Sequence, residues 1–135
     1  MVPPKKNPSK VSKTIIVNLS LQTVEAMEGL KRVFVFDCVT GDESHPTDRG
    51  TFKIYEKSKI YRSRTYNVQM NYAMFFTSDK KAFHQYHGAV PLSVVRAARG
   101  KLGEWFGSHG CVRLLENDAR SLFDWAPKGT MVHVF

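Results

Sequence analysis

No stretch of this chain approaches the roughly 18 consecutive apolar residues of a membrane span, and its amino end lacks the apolar core of a secretory signal. It is therefore expected to be soluble, with no membrane insertion. Cysteine is scarce, two in 135 residues, so one disulfide at most could form. Acidic residues are outnumbered, 12 against 20 Lys and Arg, for a net charge of +8. Four of those positive charges, Lys5, Lys6, Lys10 and Lys13, come from a Pro- and Ser-containing stretch with no acidic residue, and residues 1–13 read as a flexible basic tail. The rest, including Lys57, Lys59, Arg62 and Arg64, are scattered around a loop from Lys57 to Gln69 without a groove-reading motif, so nucleic acid is not an expected partner. No internal repeat occurs. At 42% hydrophobic content the chain can bury one core but hardly two.

Strands dominate the pattern. Residues near 14–19, 22–27 and 31–39 read as a strand followed by a hairpin around Glu28-Gly29, and Gly50 to Tyr55, Tyr72 to Phe76 and Ala82 to His87 follow as further β-rich segments. The clearest helix begins near Asn117, with Ala119, Leu122, Phe123 and Ala126 on one face, and is stopped by Pro127. Pro91 and Gly100 bracket a shorter helix, followed by a glycine-rich turn to Gly103. The fold class is thus mostly β, a sandwich or barrel-like domain over 14–135 with one or two short helices. Phe34, Phe36, Phe52, Phe75 and Phe123 are expected in its core.

The most informative stretch is Gly107-Ser108-His109-Gly110-Cys111-Val112-Arg113. A thiol attacks carbonyls only as its thiolate, which a nearby imidazole, a guanidinium and a bend with free backbone N–H groups all favour. Gly110 allows the chain to bend and bring its N–H toward a reacting oxygen. Cys38, inside the run Val33-Phe34-Val35-Phe36-Asp37-Cys38-Val39, has no such neighbours and reads as a buried strand residue. Both thiols are expected to be free, since a bridge between them would remove the nucleophile.

The cysteine needs a base adjacent in the fold. Of the five histidines, His87 closes the alternating stretch Ala82-Phe83-His84-Gln85-Tyr86-His87 and precedes Gly88, which puts it at a strand end, at the mouth of a site. His84 is an odd number of residues away, so the two point to opposite faces of one strand and do not share a role. His133 alternates with Val132 and Val134 and is expected to face outward without function. His45 precedes the turn-forming Pro46-Thr47-Asp48-Arg49-Gly50 and belongs to a surface loop bordering the cleft.

These residues resemble the L,D-transpeptidase (YkuD) family of peptidoglycan-remodelling enzymes. The likeness rests on Ser-His-Gly-Cys-Val-Arg at 108–113, His87-Gly88 upstream, and His-Pro-Thr-x-x-Gly-Thr-Phe from His45 to Phe52. It also rests on an opening at Thr14 to Gln22 and a close from Asn117 through Thr130, all in the family's order. Two departures stand out. The family usually shows a second proline where this chain has Asp48, and the twenty residues between His87 and Ser108 exceed the usual gap. The helix and turn in that longer segment are expected to form a lid or wall of the cleft.

The resemblance implies a donor tetrapeptide stem of peptidoglycan, acylated through its third residue onto Cys111 with loss of the terminal D-alanine. His87 takes the thiol proton, the Gly88 carbonyl orients its ring, and N–H groups around Gly110 and Cys111 hold the oxyanion. His109 and Ser108 shape the turn and donate hydrogen bonds. Arg113 and Tyr86 are expected at the substrate, although for Arg113 a structural salt bridge is an equal reading. An amine acceptor gives a 3–3 cross-link, and water makes the enzyme an L,D-carboxypeptidase. Carbapenems are expected to acylate Cys111. The family places the protein in the bacterial cell envelope; a monomer without cofactor or metal is expected. Two other classes compete. His84, His87, His109 and Cys111 could hold zinc, although their spacing matches no familiar finger. A wall-binding module without catalysis is the second.

Overall fold

A computed structural model describes residues 12–42, 45–64, 67–88, 90–98 and 110–135. The chain opens on a meander: β1 (Lys13–Asn18), β2 (Thr23–Glu28) and β3 (Lys31–Asp37) pair antiparallel in sequence. Alternation sets their register. Ile15 and Val17 stand opposite Ala26 and Val24, all fully buried, while the residues between them are only half-covered. The final strand, β11 (Met131–Val134), joins β1 in parallel and carries β4 (Gly50–Lys53) on its outer side, giving the order β3-β2-β1-β11-β4.

A second sheet runs β10-β9-β8-β5, from β5 (Glu56–Ser58), β8 (Ala73–Phe75), β9 (Ala82–Gln85) and β10 (Val112–Leu114). It stacks on the first through one core, in which Ile15, Val17, Val24, Val132 and Val134 meet Met74, Phe83, Val112 and Leu114. The helix α2 (Glu116–Trp125) adds Ala119 and Leu122 to that core. Lys57 donates to the carbonyls of Phe123 and Ala126 at its end, and Lys13 to that of Trp125, cations placed where the helix leaves carbonyls unpaired.

The described residues form a sandwich, with no closed barrel. β9 ends at Gln85, short of the expected His87. The segment read as a loop from Lys57 to Gln69 holds most of β5 and the two-stranded ribbon of β6 (Arg62–Ser63) and β7 (Val68–Gln69). Of the expected basic tail, residues 1–11 lie outside the described residues, and Lys13 opens β1. The helix expected after Pro91 is α1 (Leu92–Ala98), which packs Leu92 and Val95 against Val39. The turn expected at 100–103 lies outside the described residues. Phe75 is buried, and Phe34, Phe36, Phe52 and Phe123 pack against the core from its rim. Cys38, just past β3, is fully buried in the main core, and His133 faces out, paired with the Thr51 hydroxyl at 3.0 Å.

Candidate active site

β10 and β9 run parallel, with Val112 opposite Phe83, Arg113 opposite His84 and Leu114 opposite Gln85. Because side chains alternate, Val112, Leu114 and Phe83 enter the main core, and Cys111, Arg113, Ala82 and His84 take the other face. That face is covered as well. Cys111, 8% exposed, packs with Ala73, Phe75, Ala82 and Met70 beneath Tyr61.

The turn before Cys111 is fixed from the segment that follows β3. Val39 and Arg113 exchange both backbone hydrogen bonds, at 3.0 and 2.9 Å. Gly41 approaches Gly110 so closely that a Cβ there would meet the Gly110 Cα at 2.8 Å. The Thr47 hydroxyl accepts from the Gly41 N–H and donates to the Gly110 carbonyl, at 2.9 and 2.8 Å. Gly110 itself has φ +93°, a region that side chains avoid. Upstream, buried Gln22 donates to the Thr40 hydroxyl at 2.6 Å and accepts from the Thr40 N–H at 2.9 Å. The site thus hangs from the turn between β1 and β2. The loop carrying His45 borders it, with the Pro46 carbonyl beside Gly110.

Burial dominates the electrostatics of two groups on this face. The Cys111 thiol is pushed up to about 11 by burial, with a small push from the Asp79 charge, against the pull of a backbone hydrogen bond at Ala82 and of the Arg113 and Lys81 charges. His84, 3% exposed, is lowered to about 4 by burial, with Arg113 and His87 lowering it further and its bond to Gln85 opposing. At neutral pH both are uncharged. The His84 Nδ1 lies 2.9 Å from the Gln85 carbonyl, which can only accept. Nδ1 therefore carries the proton, and Nε2 keeps the lone pair that makes the ring a base.

The residues expected from sequence are not all gathered here. His87 is exposed, two residues past the end of β9. Gly88 serves its neighbour, since a Cβ there would overlap the Tyr86 ring. The Tyr86 hydroxyl donates to the Val90 carbonyl at 2.8 Å and its ring packs beside Val39, Leu92 and Val95. Arg113 holds its guanidinium 5.4 Å from the centre of that ring, and burial lowers its pKa. Ser108 and His109 lie outside the described residues. Among the described residues no three His, Cys, Asp or Glu side chains gather into a metal site. Sequence reasoning favours His87 over His84. The signal that singles it out is its pairing with Arg113, two residues from the cysteine.

Residues 12–134 match the family model YkuD, the L,D-transpeptidase catalytic domain. The chain belongs to that family. Its fold is similar to an L,D-transpeptidase from Stackebrandtia nassauensis at 29% identity and TM-score 0.78, covering 97% of this chain and 61% of that one. It is also similar to a fused Zn-dependent amidase/peptidase/peptidoglycan-binding domain-containing protein from Clostridium acetobutylicum, at 26% identity and TM-score 0.73, covering 97% and 55%. A structure of LdtMt1 in complex with imipenem shares the fold at 21% identity and TM-score 0.76, covering 93% and 59%. No curated protein sequence matches significantly. The chain thus spans about three-fifths of the length of the YkuD structures it matches. None of the helices among its described residues is long and apolar enough to cross a membrane.

Proposed function

We propose that this YkuD domain is a cysteine-dependent L,D-transpeptidase of the bacterial cell envelope, with the tetrapeptide stems of peptidoglycan as donor. The observation that carries the reading is the placement of Cys111 and His84 on one buried sheet face, the histidine holding an unprotonated Nε2. In this reading His84 is the base and His87, past the end of β9, the second candidate; the imidazole takes the thiol proton as sulfur attacks the carbonyl of the third stem residue. Both groups rest neutral, so proton transfer accompanies attack rather than preceding it as a standing ion pair. The S–C bond forms, the C–N bond to the terminal D-alanine breaks, and the protonated imidazole returns its proton to the leaving amine. N–H groups at Gly110 and Cys111 supply the oxyanion site. Arg113, steadied by Tyr86, offers a buried positive charge to a substrate carboxylate.

The thioester then passes to the side-chain amine of another stem, giving a 3–3 cross-link. Transfer to an amine is preferred here over hydrolysis because Tyr61, Met70 and Phe75 enclose the sulfur and limit water. The domain works as a monomer, and the chain's excess positive charge assists by drawing it to an anionic wall.

The relative bound to imipenem suggests the test. Intact-protein mass spectrometry after incubation with a carbapenem is expected to give one stoichiometric adduct on wild type and none on Cys111→Ala. Purified tetrapeptide stems with an amine acceptor are expected to give dimer that the variant does not form. A folded wild type that takes no adduct and releases no D-alanine would sink the reading and favour a binding module.

A further inference from the structure

Lys81 stands directly beside the turn that carries the nucleophile. A Cβ on Gly110 would overlap its Cε, so the lysine stem lies against the Gly110 backbone. Its ammonium is held twice, at 3.1 Å from Asp48 and 3.2 Å from Asp79, with the side chain only 14% exposed. Both anchors come from segments that are themselves fixed. Asp79 accepts from the Thr77 hydroxyl at 2.5 Å, Thr77 also accepts from the Lys81 N–H at 2.8 Å, and Phe76 donates to the Lys81 carbonyl at 3.0 Å. Asp48 directly follows Thr47, whose hydroxyl holds the Gly110 carbonyl. The lysine therefore ties the β8–β9 turn to the Thr47 segment across Gly110.

We propose that Lys81 is a positioning residue for Cys111, its stem bracing the Gly110 turn and its anchored ammonium keeping a fixed positive charge near that turn. The proposal rests on Cys111 being the nucleophile. Exposed ion pairs do little, but a half-buried lysine with two carboxylates loses less on being ordered and cannot swing into solvent. Burial works against its charge, yet the bonds from Asp48 and Asp79 outweigh it and hold the Lys81 pKa above the ordinary value. The Asp48 anchor sits where the family usually has a proline, which accepts no such bond. The tie is thus a feature of this chain.

The test is the rate of iodoacetamide alkylation at Cys111, followed by peptide mass from pH 7 to 10. It compares wild type with Lys81→Met, Lys81→Arg, Asp48→Asn and the Lys81→Met/Asp48→Asn double variant. Lys81→Met is expected to slow alkylation at pH 8 by about threefold or more and to displace the rising limb of the pH profile upward by about half a unit. Lys81→Arg is expected to restore most of the rate, since a guanidinium can reach both carboxylates. Asp48→Asn alone is expected to slow alkylation about twofold, yet to add nothing once Lys81 is Met, because it acts through the lysine. A folded Lys81→Met with the wild-type rate across the whole pH range would overturn the proposal, as would an Asp48→Asn effect of equal size in both backgrounds. If Lys81→Met does not fold, Asp48→Asn decides: a wild-type rate overturns it. Alkylation needs no peptidoglycan chemistry. A Lys81 effect on a protein that forms no cross-links would therefore strike the functional reading and leave this one standing.

Discussion

The two faces of the sheet β10-β9-β8-β5 are built from alternate residues of the same strands, and both are buried, yet they do different things. Inward, Val112, Leu114, Phe83 and Met74 meet the five-stranded sheet and carry nothing that titrates. Outward, Cys111 sits among Ala73, Ala82, Phe75 and Met70 with Tyr61 against them, and Arg113 and His84 pair farther along the same face. The inner face supplies the burial that fixes strand positions to a fraction of a residue step. The outer face uses that rigidity to hold a thiol and an imidazole away from water, where their proton affinities shift far from ordinary values. Stability and chemistry are divided by register, not by region of the chain.

The two cysteines break this comparison most sharply, since one lies on each side of the division: Cys38 in the main core and Cys111 on the outer face. Cys111→Ala is expected to abolish acyl transfer and leave the unfolding midpoint within a degree or two of wild type. Cys38→Ser places a hydroxyl in an apolar site and is expected to cost about 1–3 kcal/mol while preserving turnover per folded molecule. Thermal melts alongside D-alanine release would check both. Loss of turnover in a stable Cys38→Ser would show that the division is wrong.

The histidines sharpen the same comparison at the scale of one strand. His84→Ala removes the group opposite Arg113 and is expected to lower the rate of acylation by on the order of 10² or more, the contribution of a general base. His87→Ala, at an exposed position past the strand end, is expected to change it by less than about threefold. Stopped-flow or quenched acylation by a carbapenem would measure both. The reverse order would return the role to His87.

Much of this was legible in the sequence because it is local. The alternation of β1 to β3, the amphipathic pattern of α2, the glycine turn before Cys111 and the His45 to Phe52 segment each depend on residues a few positions apart. The ribbon β6–β7 was not, because strands of two residues are too short for any periodicity and these carry arginine and glutamine. The choice of histidine shows the deeper limit. Parity along β9 says that His84 and His87 face opposite ways, but which face belongs to Cys111 follows from the parallel pairing of Phe83 with Val112, partners 29 positions apart. Tyr86 completes the picture: its N–H still bonds to the Leu114 carbonyl of β10 while its hydroxyl reaches Val90 beside α1, and His87 follows beyond that last tie to the sheet.

The last expected effect comes from acid, and it tests whether the outer face is as dry as its packing implies. Buried His84 takes its proton near pH 4, whereas an unfolded histidine takes it near the ordinary value of 6.5. Above that value the ring is neutral in both states and contributes nothing to the pH dependence. As pH falls from 6.5 to 4 the unfolded chain binds a proton that the folded chain refuses, so stability declines, by about 3 kcal/mol in all, and levels off below 4. Asp79, held below its usual range by Thr77 and Lys81, adds losses only at lower pH, and Asp118, raised by burial, acts with the opposite sign. The window between 6.5 and 4.5 therefore belongs mainly to His84. Urea unfolding at pH 7, 6 and 5 is expected to show this decline in wild type and a shallower slope in His84→Gln, which cannot titrate. Equal slopes in the two proteins would mean that water reaches the imidazole, and the division between a structural and a chemical face would lose its electrostatic half.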